Sequence, residues 1–339
     1  MAQSHKTGSD TSEANNAVQS GYKPSLYGDE PLWTLLDSTR FAVSRLRELE
    51  LSKFGLTIER SAILKILASR GGSVTAGILE YLTMRQPHSI STLINRMIKM
   101  GFISKKRQGS ERRHTFSLTP KGYTLLEKIT DTSIKAVFSC LSAEENVEFI
   151  GILRVLQKKS RSLLRIPFMD FIFRDMLDNS SNNDTRWRGE ATETAWTILD
   201  RTRFVVARLR ELELAQFGLT IEQSAILKML YMCGGSISTK VLEEFTMRQH
   251  HSVSTLINRM IAMRLVTKVR YKGEKRYTIT ITREGEELLR TLTNISVEMT
   301  FSSLKVEQKE KLKVYLRRVE DNTRNILGSP LDRSILPAG

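Results

Sequence analysis

The sequence predicts a mainly helical chain with small β-hairpins, built as two copies of one domain. Three observations carry this. Sliding the 339-residue sequence on itself by 163 positions aligns "LRELEL" at Leu46 with Leu209, "FGLTIE" at Phe54 with Phe217, "SAILK" at Ser61 with Ser224 and "TMRQ" at Thr83 with Thr246, without a gap from Trp33/Trp196 to Gly122/Gly285. That period is too long for a solenoid repeat and suits a duplicated domain. Within each copy, apolar residues recur at helical spacing except in one stretch of strand-like alternation. A formal net charge of +15, from 52 Lys and Arg against 37 Asp and Glu, favours a polyanionic partner.

In the first copy, Leu32, Leu35, Leu36, Val43, Leu46 and Leu49 predict a long amphipathic helix over Pro31–Lys53. Phe54-Gly55 ends it, with Gly at the usual stop position. Thr57 caps a second helix carrying Ile58, Ala62, Ile63, Ile66 and Leu67 on its apolar side, and Gly71-Gly72 terminates it. A short third helix spans about Thr75 to Leu82.

The fourth helix contains "HSISTLINRM", His88 to Met97, repeated as "HSVSTLINRM", His251 to Met260. Ile90, Leu93, Ile94, Met97 and Ile98 form one apolar stripe. At about 100° per residue, His88, Thr92, Asn95 and Lys99 project from the opposite face, with Ser91 and Arg96 towards its edge. The same face in the second copy carries His251, Ser254, Thr255, Asn258 and Arg259, with Ala262 in place of Lys99. This face is small, polar and hydrogen-bonding, and suits base edges in a DNA major groove. His88 and His251 serve there as contacts to base or phosphate, or else cap the helix or face solvent. Arg96 and Arg259 divide between a phosphate contact and an internal ion pair. Arg85 and Arg248, just before the helix, touch the DNA backbone or face solvent.

After Gly101 the pattern becomes strands: "FISKKR", a turn near Gly109-Ser110, then "RRHTFSL". In the second copy Tyr277, Ile279 and Ile281 face one way, Thr278 and Thr280 the other. The first hairpin carries Lys105, Lys106, Arg107, Arg112 and Arg113, and its twin Lys268, Arg270, Lys272, Lys275 and Arg276. The charge excess thus gathers beside the fourth helix, twice. Lys105, Arg107, Lys268 and Arg270 read as non-specific phosphate contacts. Thr119-Pro120 starts a long helix with Leu125, Leu126, Ile129 and Val137 as packing residues. Ser142 and Glu145 form a capping box for the last helix, "FIGILRVLQKK".

The predicted layout is an N-terminal tail over 1–28, a first domain over 29–165, a linker over 166–192, a second domain over 193–328 and a C-terminal tail over 329–339. The linker's "DNSSNNDT" is turn-rich, while its "FMDFIF" is apolar enough to pack on a domain. Two cysteines, Cys140 and Cys233, give no disulfide framework and no metal spacing. No nucleophile–base pairing stands out, so neither an enzyme nor a cofactor is expected. The polar start lacks a signal-peptide core and no apolar run reaches the roughly 20 residues that span a bilayer, so a cytoplasmic protein is expected.

Element order and residues together resemble the MarR family of winged helix-turn-helix transcription regulators, over nearly all of each copy. "FGLT" precedes the second helix, and "STLINRMIKMGFI" is similar to that family's recognition helix and following turn. "SERRHTFSLTPKG" is similar to its wing, with Arg113, Leu118, Thr119 and Gly122 in the family positions and Glu111 where Asp is usual. The second copy has Glu274, Arg276, Ile281, Thr282 and Gly285. The resemblance implies two winged helix-turn-helix domains. In each, the wing Arg, Arg113 or Arg276, reaches the minor groove and the fourth helix lies in the major groove.

It also implies a dimer built from the first and last helices. With two units in one chain, that becomes a helical intramolecular pseudo-dimer interface on a near-palindromic double-stranded DNA operator. A small-molecule effector pocket and further dimerisation are allowed by the family, and some members sense oxidants through cysteine. Cys140 and Cys233 lack an activating neighbour in sequence and read as inert thiols. The alternatives are a protein-interaction module and a non-specific architectural DNA binder.

Overall fold

A computed structural model describes residues 30–70, 74–85, 87–107, 114–165, 194–246, 250–270 and 276–328. The expected linker and tails, the Gly71-Gly72 stop, Arg248, and the wing-tip residues Arg112, Arg113, Lys272 and Lys275 lie outside them. In the first unit α1 (Glu30–Ser52), α2 (Ile58–Ser69), β1 (Val74–Thr75), α3 (Ala76–Thr83) and α4 (Pro87–Lys99) are followed by β2 (Ile103–Arg107) and β3 (His114–Leu118), then α5 (Pro120–Lys128), α6 (Thr132–Phe138) and α7 (Ala143–Leu163). The second unit repeats this as α8 (Ala195–Ala215), α9 (Ile221–Met232), β4 (Ser236–Ser238), α10 (Thr239–Thr246), α11 (His250–Ala262), β5 (Val266–Val269), β6 (Thr278–Ile281), α12 (Arg283–Thr291), α13 (Ile295–Phe301) and α14 (Val306–Ile326). No helix among the described residues is long and apolar enough to cross a membrane.

The helix starts follow local chemistry. Thr57 accepts from the Arg60 amide at 3.4 Å, and Thr119 from the Gly122 amide at 3.1 Å. Ser142 and Glu145 form the expected reciprocal box. Gly55, with φ 67°, closes α1 in the left-handed region where a side chain would be strained.

The single long helix expected after Thr119 is two helices, α5 and α6, parted at Ile129–Asp131. The cause is tertiary. Glu50, at the end of α1, accepts hydrogen bonds from Thr130 Oγ1 at 2.6 Å, from the Thr132 amide at 3.1 Å and from Ser133. Arg47 donates to the Thr130 carbonyl at 2.7 Å and pairs with Asp131 at 2.6 Å. Groups that a continuous helix would use internally are taken by α1 instead. The second unit repeats the lock with Arg210 and Glu213 against Thr293, Ile295 and Ser296. There Asn294 stands at the position of Asp131, and it accepts from Lys228 at 3.2 Å where Asp131 pairs with Lys65 at 2.5 Å.

Each sheet has three antiparallel strands, in the orders β1-β3-β2 and β4-β6-β5. The hairpin was expected; the edge strand ahead of α3 was not, because two or three residues are too few to show alternation. Ile279 and Ile281 are buried as expected, but Tyr277 is 38% exposed and precedes the strand. Its ring takes Lys268 Nζ at 4.2 Å and the Arg270 guanidinium at 5.8 Å, so it stacks under wing cations rather than joining the core.

The two units interlock through their long helices. α1 packs on α14 and α8 on α7, with α1 also against α8. The contacts are reciprocal under the 163-residue shift. Arg40 pairs with Asp200 at 2.6 Å, and Arg203 with Asp37 at 2.5 Å. Buried Thr39 donates to the Leu316 carbonyl and buried Thr202 to the Leu153 carbonyl, both at 3.3 Å. A pair i–j matched by j–i is the signature of a two-fold interface. One apolar cluster runs through this interface into the second unit, and another fills the first unit between the end of α1, α2 to α5 and the sheet. Trp196 of α8 borders both.

Candidate nucleic-acid interface

Helix α4 is anchored by Ile90, Ile94 and Met97, all buried, with Leu93 and Ile98 half-buried beside them. The opposite face carries His88, Ser91, Thr92, Asn95, Arg96 and Lys99, every one of them exposed. In α11, Val253, Ile257 and Met260 are buried, while His251, Asn258 and Arg259 are exposed. Ser254 and Thr255 differ from their counterparts: both are half-buried. The Thr255 hydroxyl donates to the His251 carbonyl at 2.9 Å, and Ser254 lies 3.5 Å from His250 Nε2. Nearly identical decapeptides therefore present different polar surfaces.

The surroundings differ one turn upstream as well. His250 stands where the first unit has Pro87, and its Nδ1 lies 2.5 Å from Glu243 of α10. Glu243 also holds Arg276 at 3.4 Å. The wing arginine thus meets a carboxylate of α10. Arg276 remains half-exposed, at 50%. Lys105, Lys106, Arg107 and Arg270 are exposed along their hairpins, and Lys268 is half-buried over Tyr277. Arg96 and Arg259 form no ion pair among the described residues, which leaves their guanidinium groups open to an anion.

Arg85 is not simply solvated: it lines an open groove at the start of α4 and has partners within the protein. Its guanidinium pairs with Glu59 at 2.9 Å and stacks on Phe204 at 4.7 Å. Glu59 is held below the usual carboxylate range: burial would raise it, but Arg85 and the Thr57 hydroxyl outweigh that. Phe204 belongs to α8 of the second unit and also receives Arg40 at 5.0 Å and Arg203 at 5.7 Å. The turn ahead of the first unit's α4 is therefore seated on a helix of the other unit.

A residue that the sequence reading missed is Arg60. It lines an open groove with His88, Thr92 and Arg96 at the start of α4. Only its place one turn into α2, after the Thr57 cap, could have pointed to it. Gln223 replaces it in the second unit and closes a capping box with Thr220. Cys140 and Cys233 are half-buried free thiols, and burial pushes both up, away from the reactive thiolate.

Two family models match. A MarR family model matches residues 217–276, and a winged helix DNA-binding domain model matches residues 56–122. No curated protein matches at a significant level. Among solved structures, an organohalide-sensing transcriptional regulator in its ligand-free form is 20% identical, covering 47% of this chain and 93% of its own, with a TM-score of 0.38. The same regulator with 2,4-dichlorophenol bound is 21% identical over 43% of this chain and 86% of its own, with a TM-score of 0.37. A MepR-like protein complexed with pseudoligands is 27% identical over 36% of this chain and 87% of its own, with a TM-score of 0.30.

Proposed function

We propose that this chain, a tandem of two MarR-type winged-helix units, is a transcription regulator that reads one double-stranded DNA operator with both units at once. The observation that carries the proposal is the pairing of two polar helix faces of nearly identical sequence with a reciprocal two-fold helical interface inside one chain. Such an internal pseudo-dimer has its two reading helices in the major groove at half-sites about one helical turn, roughly 34–36 Å, apart. Asn95 and Asn258 have the donor and acceptor pair that matches adenine, and Thr92 the hydroxyl that serves either base type. Arg96, Arg259 and the hairpin cations Lys105, Arg107, Lys268 and Arg270 fix register on the phosphates, and Arg113 and Arg276 enter the flanking minor grooves.

The half-sites are similar and not identical. Arg60, Lys99 and the exposed placement of Ser91 and Thr92 belong to the first unit alone, and the His250–Glu243–Arg276 cluster to the second. The operator is accordingly an imperfect inverted repeat with the stronger phosphate grip on the first unit's side. Selection of bound DNA from a random pool, followed by titration across salt, tests this. An imperfect inverted repeat is expected, with affinity falling about 10³–10⁵-fold between 50 and 200 mM salt for six to ten phosphate contacts. Enrichment of no motif, or a flat salt response, would overturn it.

A further inference from the structure

Under the 163-residue shift each residue of α7 has an equivalent in α14, and Glu148 is the equivalent of Lys311. These two touch each other: Lys311 Nζ donates to Glu148 Oε1 at 2.7 Å. A residue that meets its own equivalent lies on the two-fold axis, where an identical pair of units would place like against like. Here the axis position is Glu on one side and Lys on the other. The neighbouring contacts have diverged in the same sense. Tyr315 donates to Glu148 Oε2 at 2.5 Å, while the equivalent of Tyr315 is Ile152, which has no hydroxyl to offer. Arg318 pairs with Glu145 at 2.5 Å, while the reciprocal positions are Val155 and Gln308. Other contacts across the interface are unchanged between the units: Arg40–Asp200 and Arg203–Asp37, and the two threonine–carbonyl bonds.

We propose that this axial charge set selects the partner: the α7 face of the first unit accepts the α14 face of the second and rejects a copy of itself. Pairing two first units would put Glu148 against Glu148 and leave Glu145 opposite Val155. Pairing two second units would put Lys311 against Lys311 and leave Arg318 opposite Gln308. Both wrong pairings retain the Arg–Asp pairs, which therefore discriminate nothing, whereas the axial charges change with the pairing. The Phe149–Tyr315 ring contact, with Leu312 and Ile152 as its counterparts, changes with them. Partner choice by complementary charge at helix–helix contacts is the same physics that sets pairing in coiled coils. The consequence is an assembly rule: chains close on themselves, or exchange halves crosswise, and do not string together through like units. The proposal rests on the internal pairing used in the proposed function, but its test reads no DNA, so either can fail alone.

The test uses the folded full chain with a protease site inserted between Asn182 and Asn183, cut after purification. Cut protein is mixed with isotope-labelled cut protein in mild denaturant until label scrambles, then returned to buffer. Native mass spectrometry resolves the three pairings, because the two halves differ in mass. Random pairing gives the mixed pair only half of the total; selection leaves like pairs a small minority. E148K and K311E each make every axial pairing repulsive, so like pairs are expected to rise about five- to tenfold. The double variant E148K/K311E restores opposite charges and is expected to return to the original distribution. Circular dichroism on each uncut chain checks folding, and E148Q/K311Q, which removes the charges at nearly constant volume, should also raise the like pairs. Like pairs at the random fraction in the unaltered protein, or an unchanged distribution in all the charge variants, would overturn the proposal.

Discussion

Replacing Glu213 by Gln should destabilise the protein more than replacing Glu50 by Gln, although the two occupy equivalent positions. Arg210 has 1% of its side chain exposed and Glu213 10%, 2.7 Å apart. Removing one partner of a buried pair costs about 3–5 kcal/mol, because the other charge is left uncompensated. Arg210 keeps the Thr293 carbonyl at 2.5 Å, which places E213Q near the low end, about 3 kcal/mol. Arg47 is as buried as its counterpart, at 3%, but retains Asp131 at 2.6 Å when Glu50 is neutralised. The cost of E50Q is then mainly weakened hydrogen bonds, about 1–2 kcal/mol. The gap arises from one substitution between the copies, Asp131 against Asn294.

Urea unfolding followed by the fluorescence of the native tryptophans, among them Trp33 and Trp196, measures both costs. An E50Q loss equal to or larger than that of E213Q would refute the reasoning. Acid should erase the difference. Burial would raise the Glu213 carboxyl, but the hydroxyls of Ser296 and Thr293 and the Arg210 charge outweigh it and hold the group low. A group depressed on folding contributes stability above its unfolded value, about 4.3, and loses it as pH falls through the folded value. Unaltered protein and E213Q should therefore draw together as pH falls below about 4.3 and meet only once it has passed the lower, folded value.

Three further outcomes follow from contacts described above. Gly122→Ala and Gly285→Ala each drive a Cβ into a backbone carbonyl, that of Phe102 or Leu265, and should lower stability by about 3 kcal/mol in thermal melts. Phe204→Leu keeps apolar volume but removes the ring under Arg85, Arg40 and Arg203, so DNA affinity should fall about threefold to tenfold with a smaller change in melting temperature. Arg96→Ala and Arg259→Ala, with no internal partner to lose, should weaken all DNA sequences alike and reduce the salt slope by about 0.9 each in binding titrations.

The repeat, the helix caps and the buried stripe of α4 were legible because each is written in residues close together in sequence. The break between α5 and α6 was not: Leu125 to Val137 keeps helical spacing, and only Arg47 and Glu50, some 80 positions earlier, divide it. The stack under Arg85 was hidden for the same reason, since its aromatic partner belongs to the other unit. The difference between α11 and α4 at Ser254 and Thr255 was not legible either, since the decapeptides are nearly identical and the His250–Glu243 contact upstream joins two helices. The axial pair Glu148–Lys311 lay in view in the aligned copies, but it acquires meaning only once the two-fold is known to pass between them.

The stack of Arg85 on Phe204 has a consequence for genetics. A lesion at Phe204 maps to the second half of the gene, yet its defect should appear at the half-site read by the first unit. Second-site revertants would then arise near Arg85 and Glu59, not beside the original change. Two chains, each damaged in the reading helix of a different half, could complement one another only by exchanging halves crosswise. Mapped mutations in this protein would thus report the folded partnership rather than the order of its codons.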